Sequence, residues 1–233
     1  MYFLQPATSY KSLGYQAYET IRDAIITLNL EPGQMVMEVE LAEQLGISRT
    51  PIREAFQMLV NEQLLQVLPQ RTKKISLISD VKVKESSFVR FSLESSAFQL
   101  VAEQWDANQP RYTAAEQQLQ LLLKQQQEAA ERQDVLAFLK LDEQFHQLIL
   151  KLAGNETLLE VVYHMRGHLN RYRYLAMKEF QLTKKLVQEH SELLRALISG
   201  DALAAKQQLE AHLNKLDDDI PLLQKKYPAY FQN

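Results

Sequence analysis

The sequence predicts a mainly α-helical protein in two parts: a small helical head closed by a hairpin, then an all-α antiparallel bundle. Three observations predict it. Apolar residues recur at helical spacing along most of the 233-residue chain. Gly and Pro number only 6 and 7, too few for a sheet protein with a turn every roughly ten residues. The only strand-like runs are short and sit together, between residues 65 and 78.

The elements follow in order. Tyr15 to Leu30 reads as a helix, with Tyr18, Ile21, Ile25 and Leu28 on one face and Glu31-Pro32-Gly33 as its stop. A short helix spans Glu38 to Leu45, and Gly46 is suited to the position after its end. Ser48 suits an N-cap and Pro51 a first turn, so the next helix runs to about Gln63. Its buried stripe is Ile52, Ala55, Phe56, Leu59 and Val60. Strands at Leu65 to Leu68 and Lys74 to Ile78 flank a turn at Pro69-Gln70-Arg71-Thr72. Helix, helix, tight turn, helix, hairpin is the winged helix-turn-helix order. From Val81 onward, helices are expected near 81–107, 112–132, 134–153, 156–179, 183–199 and 201–219, with Pro221 ending the last. Short links between helices of this length make neighbours antiparallel. The boundary falls near Ser79-Asp80, giving parts 1–78 and 79–233.

Composition narrows the function. The chain has no Cys, which excludes disulfides, thiolate metal sites and Cys nucleophiles. No run of 18 apolar residues is present and the N-terminus has no basic, apolar leader, so a cytoplasmic protein with no membrane partner is expected. Residues 1–78 carry 7 Lys/Arg against 8 Asp/Glu, net −1, and the remainder 19 against 21, net −2. A nucleic-acid role must therefore rest on where the cations sit.

They sit at the reading end. A helix-turn-helix needs a small residue in its first helix, a tight turn, and polar or basic residues opening the second; Ala42, Gly46, and Ser48, Arg49, Thr50 and Arg53 meet these needs. Arg49 and Arg53 share one helix face and can donate to guanine edges or phosphate. Arg71, Lys73 and Lys74 add a cationic hairpin.

All five histidines lie in the second part. Asp142 and His146 are four apart on one helix. His190 lies ten residues before Gly200, and His212 eleven after Asp201, so the two stand at matching heights on paired helices. Imidazole and carboxylate so placed suit a divalent transition metal. Each histidine alone is more often a satisfied core or surface residue than a ligand. His164 and His168 form a second i, i+4 pair, expected at a surface or interface. Arg90 either pairs with Glu94, its i+4 neighbour, or clamps a carboxylate. Arg171 and Arg173 lie on a polar, Tyr-rich helix, and the pattern does not say which of them faces inward.

The string Ser48-Arg49-Thr50-Pro51-Ile52-Arg53-Glu54-Ala55 resembles the winged helix-turn-helix of the GntR family of bacterial transcription regulators. An all-helical second part places the chain beside the FadR-type branch, whose second part is the FCD domain. The resemblance covers roughly residues 10–220. It implies a homodimer on a near-palindromic double-stranded operator, with Arg49, Arg53 and the wing tip contacting DNA. It puts Asp142, His146, His190 and His212 on the metal-binding positions of metal-containing FCD domains, zinc or nickel being expected, and Arg90 facing a cavity for a small organic acid. One departure is at the wing tip, where the family usually carries Gly; Thr72 followed by Lys73-Lys74 favours phosphate contact over insertion into the minor groove. The expected function is a DNA-binding regulator, not an enzyme, controlled by a carboxylate bound beside the metal. The alternatives are a metal-dependent hydrolase or lyase with an appended head, and a regulator with a purely structural metal.

Overall fold

The computed structural model describes residues 12–69, 72–213 and 216–232; the side chains of His164, Arg166 and residues 216–218 lie outside that description. The chain divides into two compact units, Met1–Leu77 and Ile78–Asn233.

In the first unit, α1 (Leu13–Ile26) starts where the Ser12 hydroxyl accepts from the Tyr15 amide at 3.1 Å. It packs chiefly on α3 (Arg49–Asn61), and α2 (Glu38–Leu45) also packs on α3. Tyr18, Ile21 and Ile25 from α1 meet Ile52, Ala55, Phe56 and Leu59 from α3 in one buried cluster. Gly46 ends α2 with φ +65°, a left-handed turn that a Cβ would strain. Strands β1 (Met35–Val36), β2 (Leu65–Val67) and β3 (Lys73–Ile75) form an antiparallel sheet in the order β1-β3-β2.

Three expectations for this unit need correction. The first helix stops at Ile26, because Leu28 takes φ +62° and cannot continue it. Ser48 occupies the α3 N-cap in extended conformation, but its hydroxyl makes no capping bond. The strand β1 was not legible, since two residues are too short for alternation to register.

The second unit holds α4 (Asp80–Gln104), α5 (Pro110–Glu131), α6 (Val135–Leu152), α7 (Glu156–Phe180), α8 (Thr183–Ile198), α9 (Ala202–Leu213) and α10 (Leu216–Lys226). Side-chain caps from Ser79, Asp134 and Asn155 start α4, α6 and α7. Gly154 and Gly200, both near φ +73°, turn the chain after α6 and α8. α4 is the shared neighbour of α6, α7, α8 and α9, while α5 lies on α6 and α8. A surround of helices leaves α4 without a single apolar stripe, and Arg90, Glu94 and Ser95 are buried on it beside Ala97, Phe98 and Val101. Of the last expected helix, α9 is described to Leu213 and α10 from Leu216, and Pro221 lies inside α10 instead of ending a helix. Pro110 opens α5, where its missing N–H costs no helical bond. Beyond α10, Phe231 pairs with Ile78, whose amide donates to the Tyr230 carbonyl at 2.8 Å. Among the described residues, no helix is long and apolar enough to cross a membrane.

Two substitutions separate packing from backbone strain in the first unit. Phe56→Ala removes a ring that is 2% exposed and is expected to lower the opening free energy of α3 amides by about 3–5 kcal/mol. Gly46→Ala meets no atom within 4 Å and should cost only the left-handed strain, about 1–2 kcal/mol. Native-state hydrogen exchange reads both; equal costs would mean that the left-handed turn is not the constraint at Gly46.

Candidate functional site

The buried face of α3 is Pro51, Ile52, Ala55, Phe56 and Leu59, which turns Ser48, Arg49, Thr50 and Arg53 outward. Lys73 and Lys74 follow on β3, both half-buried, and the Lys73 ammonium stands 5.9 Å from the centre of the Phe56 ring. Arg71 lies outside the described residues. Sequence reasoning missed Glu38, the first residue of α2. Its Oε2 accepts from Arg53 Nε at 2.8 Å and lies 3.5 Å from Arg49 Nη2, and its Oε1 lies 3.7 Å from Lys73 Nζ. The hydrogen bond from Arg53 holds this carboxyl below the usual range, against a burial that opposes ionisation. A cationic surface opened by a helix N-terminus can bind phosphate and reach base edges.

The second unit brings together Asp142 and His146 from α6, His190 from α8 and His212 from α9. All four are buried, and one ligand atom from each lies within 4.8 Å of the others. His190 Nε2 stands 3.3 Å from both Asp142 Oδ1 and His212 Nε2. Ligands about 2.0–2.1 Å from a tetrahedral metal stand about 3.3–3.4 Å apart, so this spacing suits a bound ion.

The surrounding residues decide which nitrogen of each ring points inward. Gln126 donates through Nε2 to the Leu141 carbonyl, which leaves its Oε1 facing His190 Nδ1 at 2.7 Å. That ring must therefore carry its proton on Nδ1 and a lone pair on Nε2. Glu189 does the same for His212, with Oε2 at 2.9 Å from Nδ1. Glu94 Oε2 lies 2.7 Å from His146 Nδ1, and His146 Nε2 is buried with no hydrogen-bond partner. Acceptor lone pairs thus face one another without a proton between them, an arrangement that a cation relieves. Burial pushes the His146 imidazole down to about 3 despite Glu94, and the His212 imidazole down to about 4 despite Glu189. Burial opposes ionisation of Asp142, but nearby positive charge, the Arg173 guanidinium foremost, holds the carboxyl well below its usual range. With Asp142 ionised and His146 and His212 neutral near pH 7, the group could hold a metal ion.

A small cavity of about 60 Å³ opens beside His212. Arg90 and Arg173 line it, with apolar walls from Leu169, Met177 and Leu186. Arg90 pairs with Glu94 at 2.8 Å, yet its Nη2 is buried without a partner. Burial would lower its basicity, but Glu94 and Asp142 raise it further, so Arg90 stays charged. Arg173 holds Asp142 Oδ2 at 2.7 Å through Nη2, and its Nη1 is likewise unpartnered. Arg173 is therefore the cavity-facing member of its pair; Arg171 is fully buried and lies 2.9 Å from His168. His168 stands outside the Asp/His₃ group, and the side chain of His164 lies outside the described residues.

Residues 13–75 match the model of bacterial regulatory proteins of the gntR family, and residues 85–215 match the FCD domain. An HTH-type transcriptional regulator in an unstable DNA locus of Streptomyces ambofaciens is 31% identical over 214 residues, 92% of this chain and 87% of the relative. The HTH-type transcriptional repressor RspR of Escherichia coli K12 is 27% identical over 93% of this chain and 92% of its own length. The solved structure of E. coli McbR/YncC superposes with a TM-score of 0.74 at 26% identity, covering 94% of this chain and all of that one. An Asp/His₃ centre alone would also suit a hydrolase, but these relatives are transcription regulators, not enzymes. The chain belongs to the GntR family of bacterial transcription regulators, in the branch that carries an FCD domain.

Proposed function

We propose that this regulator binds a double-stranded operator as a homodimer through Ser48, Arg49, Thr50, Arg53, Lys73, Lys74 and Arg71. Its operator affinity is set by a small organic acid held beside a divalent metal ion in the helical unit. The observation that carries the sensing part is the set of inward lone pairs on Asp142, His190 and His212, next to a cavity where Arg90 and Arg173 each keep an unpartnered buried donor.

Asp142, His146, His190 and His212 would hold the metal, with zinc or nickel best suited to three imidazoles and one carboxylate. The ion would supply a Lewis-acidic anchor for one effector oxygen. Arg90 would orient the carboxylate from α4 and Arg173 from α7. Glu94 and Asp142 hold those two guanidiniums in place, and the apolar wall sets the length of the acid. Since α4 touches α6, α7, α8 and α9, an effector that grips α4 and α7 biases how the bundle packs. Regulation requires a difference in effector affinity between two arrangements of about 1–3 kcal/mol. A purely structural metal is the second reading; it would explain the histidines but not the two unpartnered arginine donors.

Three measurements test this reading. Protein purified without chelator or nickel resin should carry about one transition metal per chain by elemental analysis, and His146→Ala and His212→Ala should lose most of it. Equal metal in parent and variants would remove the site. Arg53→Ala should weaken binding to a selected operator at least tenfold while metal content stays unchanged; unaltered operator binding would mean that α3 does not read DNA.

The third concerns acid. In the metal-free chain, His146 and His212 bind protons more readily unfolded, near 6.5, than folded, at about 3 and 4. Their contribution to stability is complete above pH 6.5 and is lost as pH falls toward 4. Chelator-treated protein should therefore lose on the order of 2 kcal/mol per histidine between pH 7.5 and pH 5, read from urea midpoints. A flat profile would mean that the two rings are not held neutral.

A further inference from the structure

Glu38 is the one carboxylate on which cations from both DNA-facing elements converge among the described residues: Arg49 and Arg53 from α3, and Lys73 from β3. Its own position does not require this. As the first residue of α2 it could face the helix N-terminus, a need that Glu40 in the same turn also meets. The side chain instead reaches across to α3 and β3 and is one-fifth exposed, whereas Arg49 and Arg53 are more than half exposed.

The mode of contact matters. Arg53 touches Glu38 through Nε at 2.8 Å, and its Nη atoms make no hydrogen bond or ion pair among the described residues. A guanidinium held by Nε keeps its outer pair of N–H groups for another ligand. That outer pair is the fork that reads guanine O6 and N7. A long arginine side chain has many rotamers, and fixing it before DNA arrives reduces the entropy lost on binding. The same carboxylate lowers the local positive charge, which weakens binding to phosphate at any sequence.

We propose that Glu38 is a positioning residue for sequence discrimination: it holds Arg53 by Nε so that the outer nitrogens face a base edge, and it restrains Arg49 and Lys73 from indiscriminate phosphate contact. This rests on the DNA reading above. It predicts opposite effects on two kinds of DNA, which loss of a bystander surface charge would not produce.

The test uses the full-length, metal-loaded chain, a duplex selected by the parent from a random pool, and a shuffled duplex of the same composition. Glu38→Ala should bind the shuffled duplex about threefold more tightly and the selected duplex about threefold more weakly, a tenfold loss in ratio. The salt slope on the shuffled duplex should steepen by about one, because a released cation finds a phosphate. Glu38→Gln, which keeps an acceptor for Arg53 Nε, should recover part of the ratio but not the slope. On an Arg53→Ala background, Glu38→Ala should no longer weaken binding to the selected duplex. Parallel tightening on both duplexes, or an unchanged ratio with normal folding by circular dichroism, overturns the proposal. A parent that shows no preference for any duplex overturns the DNA reading itself, and that result is seen before any substitution is made.

Discussion

Asp142 carries a negative charge with no access to water, and the helical unit is arranged around making that tolerable. Moving a carboxylate into a protein interior costs several kcal/mol unless charge and hydrogen bonds replace the lost water. Arg173 supplies one partner, on one carboxylate oxygen, while the other oxygen faces His190. Arg173 is itself buried enough to need a counterion, so neither group could be replaced alone. The same logic repeats on α4, where Arg90 and Glu94 are buried as a pair and Glu94 also approaches His146. These coupled charges explain why the centre of the bundle is polar although its flanks are packed with Phe98, Phe145, Ile149 and Leu197.

The histidines answer to this network. Their δ nitrogens are engaged by Gln126, Glu189 and Glu94, and Phe145 stacks on His190 with ring centres 4.6 Å apart. The His190 ring, held on one edge by a hydrogen bond and on its face by an aromatic neighbour, is not free to rotate and hide its lone pair. A cation is the simplest species that would satisfy the remaining atoms, so the group could hold a metal ion, with no particular metal specified by the geometry.

The first unit works on a different energy scale. Its cations are largely exposed, and exposed ion pairs contribute about 0–1 kcal/mol each. Glu38 is therefore of little value for holding the fold, which Phe56, Ile52 and Leu59 already do. Its value lies in geometry, since a weak contact suffices to choose one orientation of a flexible side chain. In the bundle, charge is expensive and decides packing; on the head, charge is cheap and leaves the packing to apolar residues.

Much of this was legible in the chain. The 3.6-residue spacing of Tyr18, Ile21 and Ile25, the glycine at 46, and the boundary near Ser79-Asp80 mark elements through forces that act within a few residues. The i, i+4 relation of Asp142 to His146 and the matched heights of His190 and His212 are local geometry as well, so the four could be grouped before folding was considered. What misled was equally local: Pro221 reads as a stop but lies inside α10, and Leu28 continues a stripe that its own backbone angle breaks. By itself the sequence determined the order of helices, the outward face of α3 and which titratable residues could share a centre. Only the tertiary structure decided that Arg173 and not Arg171 meets Asp142, that Glu38 gathers Arg49, Arg53 and Lys73, and that His190 and His212 turn their ε nitrogens toward one another. Those choices depend on partners as far as 64 residues away, such as Gln126 for His190. No periodicity encodes such pairs, because they are set by which buried polar atoms must satisfy one another once the helices have packed.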